Sequence, residues 1–190
     1  MDLQQYFVDA FVTEEFTGNP AAVCVMDCWP EVSFMNERAR INNLSETAFI
    51  VKESDGYHLR WFTPTTEVGL CGHATLASGF VILSIYEKEA DSVTFHINEG
   101  EVSVIRKDNG FFELAFPNIP ISQIDVTDDM ERVFGQRPLE AWLGLDLECV
   151  FEDEDIIYRM NPDDESLSTL PGRLQNVTAR CNDGVHDCNS

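Results

Sequence analysis

The stretch from Gly72 to about Tyr86 constrains the fold of this chain most. Its central run, Ala74-Thr75-Leu76-Ala77-Ser78-Gly79-Phe80-Val81-Ile82-Leu83-Ser84-Ile85, is apolar or small throughout and carries no charge. It is long enough for a helix and too short to cross a bilayer. A helix without a polar face is buried all round rather than laid on a surface. Gly79 and its small neighbours let strands pack close against it. The simplest arrangement is an α+β architecture, with a central helix wrapped by a curved sheet.

The flanking sequence supplies the strands. Residues 3–11 alternate loosely and read as a strand, followed by turn chemistry at Phe16-Thr17-Gly18-Asn19-Pro20 and a second strand over Ala21–Met26. Ser33 is placed to cap a helix running to about Asn42. Ala48–Lys52 is a short apolar strand, and Asp55-Gly56 turns it into a strand over Tyr57–Phe62. Asn98-Glu99-Gly100 and Asn109-Gly110 mark two further hairpins, so much of the pairing is antiparallel. After Pro117-Asn118-Ile119-Pro120 the pattern changes. A first domain is expected over 1–118 and a partial second one over 119–190. In the latter, 127–134 reads as a surface helix capped by Thr127. Residues 148–151, 155–159 and 174–179 read as strands. This second region has too few strands, and no buried helix, to form a core of its own.

Charge excludes several function classes. Thirty-four acidic against 12 basic residues give a net charge of −22. Such a surface repels nucleic acid and anionic membranes. The acidic stretch over 146–165 lacks the spacing of a calcium loop. The first residues have neither the basic nor the apolar segment of a secretory signal, and a cytoplasmic location is expected. The six cysteines, Cys24, Cys28, Cys71, Cys149, Cys181 and Cys188, form no Cys-x-x-Cys pair and are expected as free thiols. No zinc signature, phosphate loop or serine elbow is present, and neither metal nor cofactor is expected.

Three segments can carry chemistry. In Asn43-Leu44-Ser45-Glu46-Thr47-Ala48-Phe49, Glu46 stands where a helix gives way to an apolar strand. Partial burial there would raise its proton affinity toward neutrality. On position alone a capping or surface glutamate fits the same residue. In Cys71-Gly72-His73-Ala74-Thr75, the start of the buried helix offers unpaired N–H groups to a carboxylate. Gly72 opens the backbone to a ligand, His73 adds a titratable donor, and Cys71 is placed for a lowered thiol pKa. A core cysteine and a locally satisfied histidine fit the same residues. Gly18-Asn19-Pro20 is a turn with one polar amide. Arg60 can bind an anion or lie on the surface. His58, His96 and His186 show no partners in the sequence.

Taken together, these segments resemble the PhzF-like (phenazine-biosynthesis-like) family. The resemblance runs through Tyr6-Phe7-Val8-Asp9-Ala10-Phe11, Phe16 to Val23, Asn43 to Phe49, Leu59-Arg60-Trp61-Phe62-Thr63-Pro64, Glu67-Val68 and Leu70 to Ala77. It covers residues 5–118 and continues more weakly to about Arg180. It implies a diaminopimelate-epimerase-like fold, with two similar lobes each wrapping a sheet around a central helix. It also implies cofactor-independent proton transfer on a small carboxylate-bearing metabolite. Glu46 would be the general acid/base, with Gly72 and His73 holding the substrate. Asn19 and Ser45 join them as candidate substrate-binding residues. Cys71 occupies the position of a catalytic thiol in related racemases and is a candidate second acid/base. A homodimer is an open expectation.

One departure from the family pattern stands out. The second half of the family brings an acidic motif followed by Gly-Ser-Ala at a second central helix, and this chain has none. From about residue 181 its tail is polar and unlike the family. The expectation is a truncated second lobe, with a non-catalytic remnant or protein-binding module as the alternative to an isomerase.

Overall fold

The computed structural model describes residues 3–98, 100–116, 118–182 and 188–189. Glu99, Pro117 and the tail segment holding His186, on which parts of the hairpin, boundary and tail expectations rest, lie outside the described residues. The chain divides into two compact units, Met1–Pro117 and Asn118–Ser190.

The first unit is built on an eight-stranded sheet. In chain order its elements are β1 (Gln4–Ala10), β2 (Asn19–Met26), α1 (Val32–Asn42), β3 (Glu46–Glu53), β4 (Gly56–Phe62) and β5 (Glu67–Val68). The helix α2 (Gly72–Val81) follows, and then β6 (Ser92–Ile97), β7 (Gly100–Arg106) and β8 (Phe112–Ala115). The strand order is β1-β2-β3-β4-β6-β7-β8, with β5 beside β4. β2–β3 and β4–β6 pair in parallel and the other neighbours are antiparallel, so the sheet is mixed. Two of the hairpin turns expected from Asp55-Gly56 and Asn109-Gly110 join β3 to β4 and β7 to β8.

α2 packs against β1 and β2 at one end of the sheet and against β7 and β8 at the other. The sheet therefore curls around it. Ala74, Thr75, Ala77, Ser78, Gly79 and Val81 are all buried. The two hydroxyls among them are satisfied inside the helix. Thr75 Oγ1 donates to the Cys71 carbonyl at 2.5 Å and Ser78 Oγ to the Ala74 carbonyl at 2.7 Å, so burying them leaves no orphaned donor. A Cβ on Gly79 would lie 2.4 Å from Val104, so only glycine admits β7 at this distance. Beyond Val81 the helix widens into one π-helical turn over Ile82–Tyr86.

Period-two alternation sorts the strands into two layers. Ala21, Val23, Ala48, Ile50, Leu59 and Trp61 face α2. Cys24, Met26, Phe49, Val51 and Phe62 face outward, where Met35 and Ala39 of α1 cover them. The first helix begins earlier than the Ser33 cap implied. Its N-cap is Glu31 and Ser33 lies inside the first turn, because the backbone already turns helical at Val32.

The second unit holds β9 (Ser122–Ile124), α3 (Asp128–Phe134), β10 (Glu140–Leu143), β11 (Leu147–Phe151), α4 (Glu154–Arg159), α5 (Asp164–Leu167), β12 (Gln175–Arg180) and β13 (Cys188–Asn189). Its sheet order is β13-β12-β11-β10-β9, with β11 and β12 parallel. Thr127 caps α3 by accepting from the Met130 N–H at 3.2 Å. Two expectations are corrected here. Residues 155–159 are helical rather than a strand: Asp153 caps the segment, its side chain accepting from the Asp155 N–H at 2.8 Å. The unit also buries a core of its own. Met130, Val133 and Phe134 of α3 pack on Ala141, Leu147, Cys149, Phe151, Leu170 and Ala179. One apolar face of a short helix does here what a fully buried helix does in the first unit. Among the described residues no helix is long and apolar enough to cross a membrane.

Candidate active site

Glu46 is the first residue of β3, and its register partner on β2 is Ala21. Alternation puts it on the same face as Ala48 and Ile50, which pack against α2. The opposite face is anchored by Thr47. Its hydroxyl accepts from Asn42 Nδ2 at 3.0 Å, and Asn42 Oδ1 in turn accepts from Gln5 Nε2 at 3.1 Å. The carboxylate of Glu46 is thereby aimed along the sheet face at the start of α2.

His73 meets it there. Nε2 of His73 lies 3.4 Å from Oε2 of Glu46, with the two side chains only 10% and 19% exposed. That nitrogen is buried without a hydrogen-bond partner of its own. Burial holds the imidazole below its ordinary pKa, although the charge of Glu46 and the Pro20 carbonyl pull the other way. Nδ1 of His73 is 3.5 Å from the Cys71 sulfur. One atom from each of Glu46, Cys71 and His73 lies within 4.8 Å of the others.

The expected lowering of the Cys71 pKa does not occur. Burial and the neighbouring Glu46 outweigh the N–H groups of Ala74 and His73 and push the thiol up to about 12. At neutral pH the group is a protonated thiol, able to donate but not to act as a ready base.

The other candidates are placed more loosely. Gly18 holds φ +85, where a Cβ would strike the Ala10 carbonyl at 2.5 Å. Asn19, half-buried at the start of β2, follows it and stands two positions before Ala21, at the Glu46 end of the sheet. A Cβ on Gly72 would make ordinary contact with Phe116 at 3.5 Å, so crowding within the unit does not require glycine there. Ser45 is exposed in the bend before β3, outside the close cluster.

Two readings from the sequence change. Arg60 is neither a free anion binder nor a plain surface residue. Its guanidinium donates two 2.7 Å bonds to Glu67 and stacks over Trp29 and Phe62. His58 and His96, without partners in the sequence, face each other across β4 and β6. No local spacing signals that pairing. A cleft of about 590 Å³ in the first unit is lined by residues such as Val12, Leu76, Phe80 and Phe111 and does not include Glu46.

Residues 8–138 match the family model described as phenazine biosynthesis-like protein. The chain belongs to the PhzF-like family. An uncharacterized isomerase of Pseudomonas aeruginosa is 38% identical to this PhzF-like chain, over 95% of the chain and 69% of the relative. Another, from Halalkalibacterium halodurans, is 36% identical over 96% and 69%. Among solved structures, a PhzF-family phenazine biosynthesis protein of Enterococcus faecalis superposes with a TM-score of 0.77 at 41% identity, covering 96% of the chain and 70% of that protein. A predicted epimerase of Pseudomonas aeruginosa shares the fold at a TM-score of 0.70 and 17% identity. The α+β, diaminopimelate-epimerase-like architecture is thus that of the family. The isomerase relatives support an isomerase-type function for this PhzF-like chain.

Proposed function

We propose that this PhzF-like chain moves a proton at carbon on a small carboxylate-bearing metabolite, with Glu46 as the general acid/base. The observation that carries this reading is the approach of His73 Nε2 to Glu46 Oε2, 3.4 Å apart and largely out of water at the start of α2. A carboxylate flanked by a neutral imidazole, rather than by a fixed cation, can gain and lose a proton without breaking a salt bridge.

In this reading Glu46 takes the proton from the substrate carbon and returns it to another position. The electron pair left behind spreads onto the substrate carboxylate or a conjugated carbonyl. His73 donates a hydrogen bond to the oxygen that gathers charge, a role favoured by its low pKa and its unpartnered nitrogen. N–H groups at the start of α2 hold the carboxylate beside Gly72. Asn19 and Ser45 contact the rest of the molecule. The protonated Cys71 thiol is the second proton donor where stereochemistry inverts. Proton transfer of this kind needs no cofactor.

Incubating candidate small carboxylates in deuterated water tests the reading, with incorporation followed by NMR. Glu46→Gln should lower catalysed exchange by about 10²–10⁴-fold while the folded spectrum persists. Full exchange by the Gln variant would remove Glu46 from the mechanism. A Cys71→Ser variant that keeps exchange but loses inversion would support the thiol as second donor. The other reading, a module that binds protein without catalysis, draws on the apolar cleft around Phe80 and Phe111, both exposed. Self-association in size-exclusion chromatography, with no thermal shift from any carboxylate, would favour it.

A further inference from the structure

We propose that His58, His96 and Asp55 form a binding site for a late first-row divalent cation of the Zn²⁺ type, on the face of the first unit's sheet that turns away from α2. The site is separate from the Glu46 cluster and independent of the function proposed for it.

The register makes the site. β4 and β6 run parallel with His58 opposite His96, so both imidazoles project from one face. Their ring centroids are 4.9 Å apart and the planes are inclined by 35°. The turn between β3 and β4 brings Asp55 beneath them. Nε2 of His58 lies 3.0 Å from Asp55 Oδ1, and Nε2 of His96 lies 3.1 Å from the Asp55 carbonyl oxygen. One ligand atom from each of the three residues falls within 4.8 Å of the others. A tetrahedral ion with bonds of about 2.0–2.1 Å to nitrogen needs donors about 3.3–3.5 Å apart, a spacing that falls inside that 4.8 Å limit.

Gly56 permits this approach. It holds φ +140, and a Cβ there would sit 3.0 Å from His96 Nε2. Behind His96, Nδ1 is 3.2 Å from a Glu101 carboxylate oxygen. A ligating histidine with its far nitrogen on a carboxylate is the usual supporting arrangement at metal sites.

Proton counting favours a cation. Both nitrogens of His96 face acceptors, the Asp55 carbonyl and Glu101, yet a neutral imidazole carries one proton. A divalent ion held by both Nε2 atoms and the Asp55 carboxylate leaves Nδ1–H of His96 free to donate to Glu101. Two imidazoles and one carboxylate suit zinc, copper or nickel rather than calcium or magnesium. The rings border an open cleft of about 260 Å³, which admits water as a remaining ligand. Arg60 lines the same cleft, but Glu67 neutralises it.

Titration calorimetry of the full chain with ZnCl₂ tests this, with Cys71→Ser as a parallel background because the Glu46 cluster also offers ligands. One saturable site is expected in both proteins. His58→Gln or His96→Gln should abolish it at concentrations that saturate the parent. Glu101→Gln should weaken it by about tenfold, at the lower end for a supporting carboxylate. Asp55→Asn, which keeps a turn-forming residue at this exposed position, should also weaken it. The proposal is overturned if the parent binds no Zn²⁺ saturably, if binding is unchanged in the His58 and Asp55 variants, or if Cys71→Ser removes the site.

Discussion

Nε2 of His73 lies 3.4 Å from Oε2 of Glu46, joining the start of the buried helix to the start of a strand in the middle of the sheet. The pair can be separated by substitution. If Glu46 is the acid/base, Glu46→Gln should lower catalysed carbon–hydrogen exchange by about 10²–10⁴-fold, the usual range for removing such a group. His73→Asn keeps a donor and should reduce exchange less. Initial rates of deuterium incorporation, compared at matched folded fraction, give both numbers.

His73 titrates below its ordinary pKa because it is buried. In the unfolded chain it binds a proton first as pH falls. Its neutral burial therefore contributes stability above the unfolded pKa of about 6.5, and the contribution is lost as pH drops below that value. Denaturant midpoints at pH 7.5 and pH 5 should differ more for the parent than for His73→Asn. An equal difference would mean that other groups govern the acid limb.

Three buried thiols act at the alkaline end. Burial raises Cys24 and Cys71 to about 12 and Cys149 to about 11, from 9.0. Between these values the unfolded chain releases thiol protons that the folded chain keeps, so stability should fall as pH rises above 9. A thiol reagent at pH 8 should modify the exposed Cys28 and Cys188 rapidly and the three buried cysteines only on unfolding. Rapid modification of Cys71 in the folded protein would contradict its burial.

Gly79 and Val104 share one space at the contact between α2 and β7. Gly79→Ala should destabilise the first unit by about 1–3 kcal/mol through overpacking, although alanine is the better helix former. Val104→Ala makes room for the added methyl. The double variant should therefore lose less than the sum of the two single losses, a coupling visible in urea denaturation.

Much of this architecture can be read from local sequence. An uncharged helix over 72–81 is buried because no face of it can be exposed to water without loss, and that holds before any contact is known. The turns at Asp55-Gly56 and Asn109-Gly110 and the Thr127 cap are likewise short-range features, decided by side chains a few residues apart. The helix at 154–159 was not legible as one, since Glu154-Asp155-Ile156-Ile157-Tyr158 is short and β-branched, and it is the Asp153 cap that starts the turn. Family motifs single out Glu46, Gly72 and His73, but neither motif nor composition indicates that Glu46 and His73 touch.

The tertiary structure decided what depends on register and burial. The parallel pairing of β2 with β3 sets Glu46 on the α2 face, and a slip of one residue would turn it outward. The parallel pairing of β4 with β6 likewise joins His58 to His96. Burial reversed the direction expected for Cys71, because the loss of water around the thiol outweighs the nearby helix N–H groups. Sequence by itself determined which segments must be hidden from water. Which charged or titratable groups meet was left to the pairing of distant strands, since those contacts join positions that local propensity does not couple.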